Sequence, residues 1–398
     1  MDISHRGRTI QPSPIRKLKP YADKAKEKGI HVYYLNIGQP DIPTPQPVLD
    51  AFHNFEEEVL SYGPAQGFLE LRQAIGDYFA NYQIPINAEN VLITIGGSEA
   101  IHFSFSAIAD PGQEIIIPEP FYTNYNGYAS FADVRIVPLT LRVEEGFRLP
   151  SREEIEAKIS SETRALVLCS PNNPTGTVYT PEEIERVISV AEKHNLFLIG
   201  DEVYKEFVYD GGTHKSLLEY EDIQEKVIVV DSISKRFSCC GARIGAIVTR
   251  NEEIYQSVLK FAQARLCPPT VEQKAALAAY RMGMEYFLPI REEYQKRRDI
   301  LYEGLKDIPG IVIQKPQGAF YIIVRLPVKD VEHFVVWMLT DFNLERETVM
   351  VAPAQGFYST PNKGKDEIRI AYVLKESDLR RAIDIFKMGL EKYQSLHS

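Results

Sequence analysis

The sequence predicts an α/β protein: a large domain with a mostly parallel sheet covered by helices, joined to a smaller α+β domain. Short apolar runs, typical of strands buried on both faces, alternate with amphipathic stretches typical of helices. From about Arg291 the pattern changes to a long charged helix followed by shorter mixed elements. The length of 398 residues has room for two or three domains. We therefore expect two domains of unlike architecture.

Six apolar runs predict the strands of the large sheet. They are 91–94, 114–117, 165–169, 196–199, 227–230 and 244–249. In parallel sheets, ligands bind beyond the carboxyl ends of the strands. The residues that follow each run are therefore candidates for function.

Two helices have clear starting signals. Ser98 and Glu99 open one of them directly after a Gly-Gly pair at the end of the first strand. Thr180 and Glu183 can form a capping box around Pro181 at the start of another. In the smaller domain, the predicted elements after the charged helix are a strand over 319–324, an amphipathic stretch over 331–339 and the apolar run 368–371.

Composition and charge exclude several classes of protein. The 55 acidic and 45 basic residues give a net charge of −10, which argues against a general nucleic-acid binder. No apolar run approaches the roughly 20 residues of a membrane span. Four cysteines without a C-x-x-C pair predict neither a disulfide framework nor a zinc site. The N-terminus has no apolar stretch after its charges, so we expect a cytoplasmic protein without a secretory signal.

Two charged residues follow buried strands and could take part in chemistry. Lys235 could form a Schiff base with a carbonyl cofactor, or it could be a solvated loop lysine. Asp201 needs a cationic partner at that depth, and a protonated pyridine nitrogen would serve. A helix N-cap or an internal salt bridge is the alternative interpretation of Asp201.

The turn at 96–99 offers a third candidate, because backbone N–H groups and the positive end of a helix favour a phosphate. It lacks the G-x-G-x-x-G and G-x-x-x-x-G-K-[ST] spacings. Neither a nicotinamide cofactor nor a nucleoside triphosphate is therefore favoured.

Four short strings identify a family resemblance. They are Asn173-Pro174-Thr175-Gly176, Asp201-Glu202-Val203-Tyr204, Ser232-Ile233-Ser234-Lys235 and Arg243-Ile244-Gly245. In this order and approximate spacing they resemble the class I/II aminotransferases of pyridoxal phosphate fold type I. The resemblance covers nearly the whole chain, including the segments around Gly38, Tyr62, Tyr122 and Arg369. It implies pyridoxal 5'-phosphate as the cofactor.

The resemblance implies a role for each matching residue. Lys235 would hold the cofactor as a Schiff base and then move a proton between the substrate Cα and cofactor C4′. Asp201 would keep the pyridine nitrogen protonated, and Tyr204 would hydrogen-bond the phenolic oxygen. The other implied contacts are Asn173 to that oxygen, Tyr122 stacked on the ring, and Gly97, Ser98, Ser232 and Arg243 around the phosphate, with Gly38, Asn173 and Arg369 around the substrate.

Glu99 belongs to the predicted cofactor segment, although relatives often have glutamine there. A carboxylate beside a phosphate is unfavourable, so we expect its side chain to point away or to cap the helix. The resemblance also implies a homodimer with shared active sites, in which Tyr62 reaches the cofactor phosphate of the neighbouring subunit. The implied domains are an N-terminal segment (1–44) contributing to the small domain, a large cofactor-binding domain (45–291) and a C-terminal small domain (292–398).

The expected reaction is transfer of the amino group of an L-amino acid to a 2-oxo acid such as 2-oxoglutarate. Aspartate is the first expected donor, followed by aromatic or neutral amino acids. The substrate side chain could be read by Ile15, Ile37 and Tyr122, and an acidic one would need a second cation. The sequence does not choose among the candidate cations, which are Arg16, Lys17, Arg236 and Arg265.

Two alternatives use the same scaffold. A carbon–sulfur β-lyase would share the cofactor residues and release pyruvate and ammonia without an added oxo acid. A non-catalytic pyridoxal phosphate sensor would carry a DNA-binding domain, and about 35 residues before the Gly38 segment are too few for one. We expect neither a metal, a nucleic acid nor a membrane as a partner.

Overall fold

A computed structural model describes residues 2–397 and contains three sheets. The strands are β1 His31–Tyr34, β2 Val91–Ile95, β3 Glu114–Glu119, β4 Arg135–Thr140, β5 Thr163–Cys169, β6 Phe197–Asp201, β7 Val227–Ser232, β8 Ile244–Val248, β9 Val312–Ile313, β10 Tyr321–Arg325, β11 Glu347–Met350, β12 Ala352–Pro353 and β13 Glu367–Ala371. The helices are α1 His5–Thr9, α2 Lys19–Glu27, α3 Gln46–His53, α4 Leu69–Ala80, α5 Gly96–Ile108, α6 Asn124–Ala132, α7 Arg152–Glu156, α8 Pro181–Lys193, α9 Ile233–Arg236, α10 Glu252–Arg265, α11 Thr270–Tyr280, α12 Phe287–Leu305, α13 Val331–Thr340 and α14 Glu376–His397. None of the helices in this part of the chain has the length and apolar character needed to cross a bilayer.

The central sheet has seven strands in the order β2-β8-β7-β6-β5-β3-β4. Neighbouring strands from β7 to β4 run parallel, whereas β8 is antiparallel to both β7 and β2. The mostly parallel sheet is thus confirmed. All six predicted strands form within two residues of the predicted bounds. The apolar-run criterion missed β4, because this edge strand is only partly buried and contains Arg135 and Pro138.

Both faces of the sheet are covered, which explains the continuous apolar runs. In β7, Val227 and Val229 pack into one core cluster, while Ile228 and Val230 pack into another on the opposite side. All four side chains are fully buried. Alternation of the side chains along the strand therefore contributes apolar surface to both cores.

The predicted capping box at the start of α8 is present. The Thr180 hydroxyl accepts the Glu183 amide N–H at 3.3 Å, and the Glu183 carboxylate accepts the Thr180 N–H at 2.8 Å. The same carboxylate accepts a hydrogen bond from Arg148 at 2.8 Å. The reciprocal bonds satisfy N–H groups that the first helical turn leaves without intrahelical partners.

The two chain ends meet in a smaller structural unit. A four-stranded antiparallel sheet has the order β12-β13-β10-β9, and β1 pairs with β11 in parallel. Leu18 and Leu35 from the N-terminal segment share one apolar cluster with Phe334 and Phe386. The N-terminal segment is thereby packed into a core built mainly by the C-terminal part of the chain.

Close backbone approach between β8 and the start of α5 requires glycine at 245. A Cβ there would lie 2.5 Å from the carbonyl carbon of Gly96, 2.7 Å from the amide nitrogen of Gly97 and 2.8 Å from the carbonyl oxygen of Asp231. All three atoms are backbone, so no side chain can rotate away. Around Gly241, in contrast, no atom beyond its two chain neighbours lies within 4 Å of such a Cβ.

We expect Gly245→Ala to lower the free energy of unfolding by about 1–3 kcal/mol, the usual cost of overpacking a dense interior. Gly241→Ala, the matched control, should stay within about 0.5 kcal/mol of the native chain. Urea unfolding followed by circular dichroism measures both. Equal midpoints for the two variants would contradict the steric argument.

Candidate active site

A cavity of about 520 Å³ lies at the carboxyl ends of β5, β6 and β7, and β10 and β13 of the smaller sheet close its other side. Its position is the one expected for a parallel sheet. Among the predicted site residues, those that line it are Gly38, Gly97, Ser98, Tyr122, Asn173, Asp201, Tyr204, Ser232, Lys235, Arg243 and Arg369. Glu99 and Tyr62 do not line it.

Lys235 lies on the short helix α9, directly after β7. Its half-buried ammonium donates to the carbonyl oxygen of Gly38 at 3.0 Å and lies 3.8 Å from the Cys240 sulfur. Among residues 2–397, no carboxylate forms an ion pair with it. The amine is therefore held at the cavity by a neutral partner.

Asp201 ends β6 and is buried. The Tyr125 hydroxyl donates to its Oδ2 at 2.6 Å, whereas Oδ1 makes no hydrogen bond in the described part of the chain. Burial raises the pKa of Asp201 to about 6, partly offset by the Tyr125 bond. A buried carboxylate with a free oxygen at a cavity wall is suited to a cationic N–H of a ligand.

Tyr125 was not predicted to belong to the site. It lies on α6, fully buried, and nothing in the local pattern distinguishes it from a core aromatic residue. Only the tertiary structure, in which α6 packs on α5 and β4, brings its hydroxyl to Asp201.

Polar groups at the other end of the cavity form a cradle for an anion. The start of α5 exposes the backbone N–H groups around Gly97, and Ser232 lies opposite at the end of β7. The guanidinium of Arg243 donates to the carbonyl oxygen of Cys240 at 2.9 Å and lies 3.4 Å from the Ser234 hydroxyl. A helix N-terminus, hydroxyl groups and a guanidinium are a set that binds phosphate.

Arg369 lies on β13 and is 2% exposed. It donates to the Asn173 side-chain oxygen at 3.0 Å and to the Asn36 carbonyl oxygen at 2.5 Å, and its Nε has no partner within residues 2–397. The rings of Tyr321 and Phe357 lie 4.6 and 4.8 Å from its guanidinium carbon. Burial lowers the pKa of Arg369, so a bound carboxylate would relieve an uncompensated charge.

The position of the Tyr321 hydroxyl in the cavity lining depends on a close contact with Gly38. The Tyr321 hydroxyl lies 2.9 Å from the Tyr204 hydroxyl and 3.5 Å from the Gly38 carbonyl oxygen. A Cβ at Gly38 would lie 1.8 Å from that tyrosine oxygen. Glycine is therefore needed here for Tyr321 to reach the cavity.

Glu99 and Tyr62 lie elsewhere. The Glu99 carboxylate accepts the Ile95 amide N–H at 2.8 Å and pairs with Arg265 at 2.6 Å, so it points away from the cavity and caps the turn, as expected. Burial raises its pKa. Tyr62 is 81% exposed on the surface of its own chain.

The cavity suits pyridoxal 5'-phosphate group by group. The cradle matches the phosphate, the free oxygen of Asp201 matches the ring nitrogen, and the Lys235 amine matches the aldehyde. Tyr122 adds an aromatic wall, and burial raises the pKa of its hydroxyl, which keeps the ring neutral. Two guanidinium groups of the lining, those of Arg16 and Arg369, are not used by these three matches.

Comparison with known proteins agrees with this geometry. Residues 30–386 match the family described as aminotransferase class I and II. The chain belongs to this family. Its members use pyridoxal 5'-phosphate, and the chain is an aminotransferase of this type.

Its relatives are matched over nearly their whole length. The chain is 34% identical to an aspartate aminotransferase of Sulfurisphaera tokodaii, covering 91% of this chain and 90% of the relative. The solved aspartate aminotransferase of Thermotoga maritima has a TM-score of 0.89 at 28% identity, with 98% of this chain and 100% of that one covered. An alanine aminotransferase of Pyrococcus furiosus also has a TM-score of 0.89, at 29% identity over 98% of this chain and all of that one.

We expect Asp201→Asn to stabilise the cofactor-free protein and to weaken cofactor binding. The pKa of Asp201 is about 6 when folded and about 4 when unfolded, so the folded chain holds the proton longer and loses stability as pH rises from 4 to 6. Asparagine removes this loss, which is about 1–3 kcal/mol.

Thermal and urea unfolding of the cofactor-free chain at pH 4.5 and pH 8 measure the effect, and titration with pyridoxal phosphate measures affinity. Asp222→Asn, at an exposed position, is the control and should change neither. An Asp201→Asn chain less stable than the native one at pH 8 would refute the assignment of strain to this carboxylate.

Proposed function

We propose that this aminotransferase takes the amino group from a dicarboxylic L-amino acid, aspartate first, and passes it to a 2-oxo acid such as 2-oxoglutarate in the same cavity. The observation that carries the proposal is the pairing of two groups in one site. Lys235 supplies an amine without a counterion, and Arg369 supplies a buried guanidinium without a carboxylate. An α-amino acid needs both.

Bound pyridoxal phosphate supplies the electron sink that lets the substrate Cα–H bond break. Arg369 would grip the substrate carboxylate through two N–H donors and so orient that bond. Lys235 Nζ would take the proton from Cα and return it to the cofactor carbon. Asp201 would hold the proton on the ring nitrogen.

Asn173 and Tyr204 would donate to the phenolic oxygen of the ring. In the chain alone, Asn173 already accepts from Arg369 through its side-chain oxygen, which leaves its amide N–H free to donate. The burial of Tyr204 raises the pKa of its hydroxyl, which keeps it a proton donor at neutral pH. One residue, Asn173, thus connects the substrate-binding and cofactor-binding ends of the cavity.

The choice of aspartate rests on the relatives, since the one from Sulfurisphaera tokodaii and the solved structure from Thermotoga maritima are named aspartate aminotransferases. The alanine aminotransferase of similar fold shows that the scaffold also serves neutral donors.

We also propose that the chain acts as a homodimer with shared sites. Tyr62 is 81% exposed and its neighbours Val59 and Leu60 are 70% and 63% exposed, a run of apolar surface that a second copy would cover. In that arrangement Tyr62 reaches the phosphate in the partner's cavity.

The proposed domains are 45–291 as the large one and 1–44 with 292–398 as the small one, which the pairing of β1 with β11 supports. A cytoplasmic location is supported by four free cysteines, since reducing compartments preserve thiols.

The reaction is tested by the visible spectrum of the purified holoenzyme during addition of single L-amino acids without an oxo acid. We expect the absorption band of the lysine-bound cofactor to disappear with aspartate and to return with 2-oxoglutarate. Lys235→Ala should lack that band and lose at least about 10³-fold in turnover.

Release of pyruvate and ammonia with the band unchanged would establish the β-lyase instead. A cofactor band that no amino acid alters would contradict aminotransfer.

Shared active sites predict a specific complementation. Tyr62→Ala subunits should bind the cofactor about tenfold more weakly, and Lys235→Ala subunits should be inactive. If Tyr62 serves the partner's site, a hybrid dimer of the two variants contains one site in which both residues are intact. Mixing the variants after reversible dissociation should then restore native cofactor affinity at that site. The hybrid should have about half the activity of the native dimer. Without sharing, no intact site forms and mixing should restore nothing.

A further inference from the structure

The cavity contains one cation more than the cofactor and the substrate α-carboxylate need. Its basic lining residues are Arg16, Lys235, Arg243 and Arg369, and Asp201 is its acidic one. The proposed roles use three of these cations: Lys235 for the amine, Arg243 for the phosphate and Arg369 for the α-carboxylate. Arg16 remains without a role.

The three other candidate cations for an acidic substrate form ion pairs outside the cavity. Arg236 is fully buried and pairs with Asp231 below α9. Arg265 pairs with Glu99 at 2.6 Å. Lys17, the neighbour of Arg16, pairs with Glu332 at 2.6 Å. None of the three lines the cavity.

Arg16 differs from these three cations both in its position and in its lack of an ion pair in the described chain. It lines the cavity, and its guanidinium forms neither an ion pair nor a hydrogen bond with any residue of the described chain. Its backbone is nevertheless placed, because its amide N–H donates to the Ser13 hydroxyl at 3.4 Å. The next apolar residue, Leu18, is 1% exposed in the core of the smaller unit.

The segment that carries Arg16 is attached at the end of the cavity where Arg369 lies. Pro14 packs so closely on Gly356 that a Cβ there would lie 2.4 Å from the proline Cβ. Gly356 belongs to the short 3-10 helix 354–357, which ends at Phe357, and the Phe357 ring lies 4.8 Å from the Arg369 guanidinium carbon. The phosphate cradle, by contrast, is built from α5 and the residues after β7.

From these contacts we infer that Arg16 binds the side-chain carboxylate of dicarboxylic substrates, both amino acids and 2-oxo acids. A second guanidinium in the lining of the same cavity as Arg369 gives two separate donor groups for a substrate with two carboxylates. The inference deepens the proposed function and rests on it. Neutral substrates gain nothing from Arg16, since they have no second anion.

The test uses the holoenzyme and three variants. Arg16→Gln removes the charge, Arg16→Lys keeps it, and Lys17→Gln is the matched control that removes the adjacent charge outside the cavity. Equilibrium binding of succinate, a dicarboxylate that cannot react, is compared with that of propionate by calorimetry. Single-turnover reactions with aspartate, glutamate, alanine and phenylalanine follow.

We expect Arg16→Gln to weaken succinate binding and the specificity for aspartate and glutamate about 10- to 100-fold, the usual effect of losing a hydrogen bond between charged groups. Propionate, alanine and phenylalanine should change less than about twofold. Arg16→Lys should recover most of the loss, and Lys17→Gln should match the native enzyme.

Two results would overturn the inference. One is unchanged succinate binding in Arg16→Gln, and the other is an equal loss in Arg16→Gln and Lys17→Gln, which would indicate a general charge effect. Failure of the proposed function is distinguishable: an enzyme that transaminates neutral donors but not aspartate or glutamate refutes the acidic substrate class, while the succinate comparison still tests whether Arg16 binds a second carboxylate. An enzyme inert to every amino acid refutes aminotransfer, while succinate binding still decides the role of Arg16.

Discussion

The cost of burying charge without an opposite charge organises this molecule. Asp201 and Arg369 are both removed from water at the cavity wall, and each keeps a polar atom without a partner in the described chain. Such an arrangement is unfavourable for the protein alone. In the proposed function, a ring nitrogen and a carboxylate would each supply the missing partner, so the unpaired atoms of Asp201 and Arg369 would favour these two ligand groups.

The buried charges next to α9, unlike Asp201 and Arg369, lie beside opposite charges. Beneath α9, Arg236 pairs with Asp231, and Asp231 also accepts the Ser232 amide N–H at 2.8 Å. Glu206 lies 3.4 Å from the same guanidinium. These buried pairs tie together both ends of the turn that presents Ser232 and Lys235. Arg236 thus has opposite charges beside it, whereas Asp201 and Arg369 form no ion pair with any residue of the described chain.

Much of the fold was predictable, because its causes are local or periodic. Continuous apolar runs identified the strands of the central sheet, since burial on both faces leaves no polar position along them. The capping box at Thr180 is a local hydrogen-bond pattern and appeared as predicted. The edge strand β4 was missed, since partial burial tolerates charged and proline residues. Motif strings gave the candidate cavity residues, and most of them converge there because parallel strands end at one edge.

Residue types and their order along the chain determined the family, the cofactor and the layered architecture by themselves, because these depend on short-range patterns and on strings that keep their spacing. Only the tertiary structure decided which side chains meet across the chain. In the folded chain the Tyr125 hydroxyl contacts Asp201, and Glu99 pairs with Arg265. Arg236 and Lys17 also pair with carboxylates, whereas Arg16 lines the cavity without an ion pair in the described chain. The sequence does not distinguish the four candidate cations for an acidic substrate, Arg16, Lys17, Arg236 and Arg265. Whether each is paired depends on distances between residues far apart along the chain, which only packing sets.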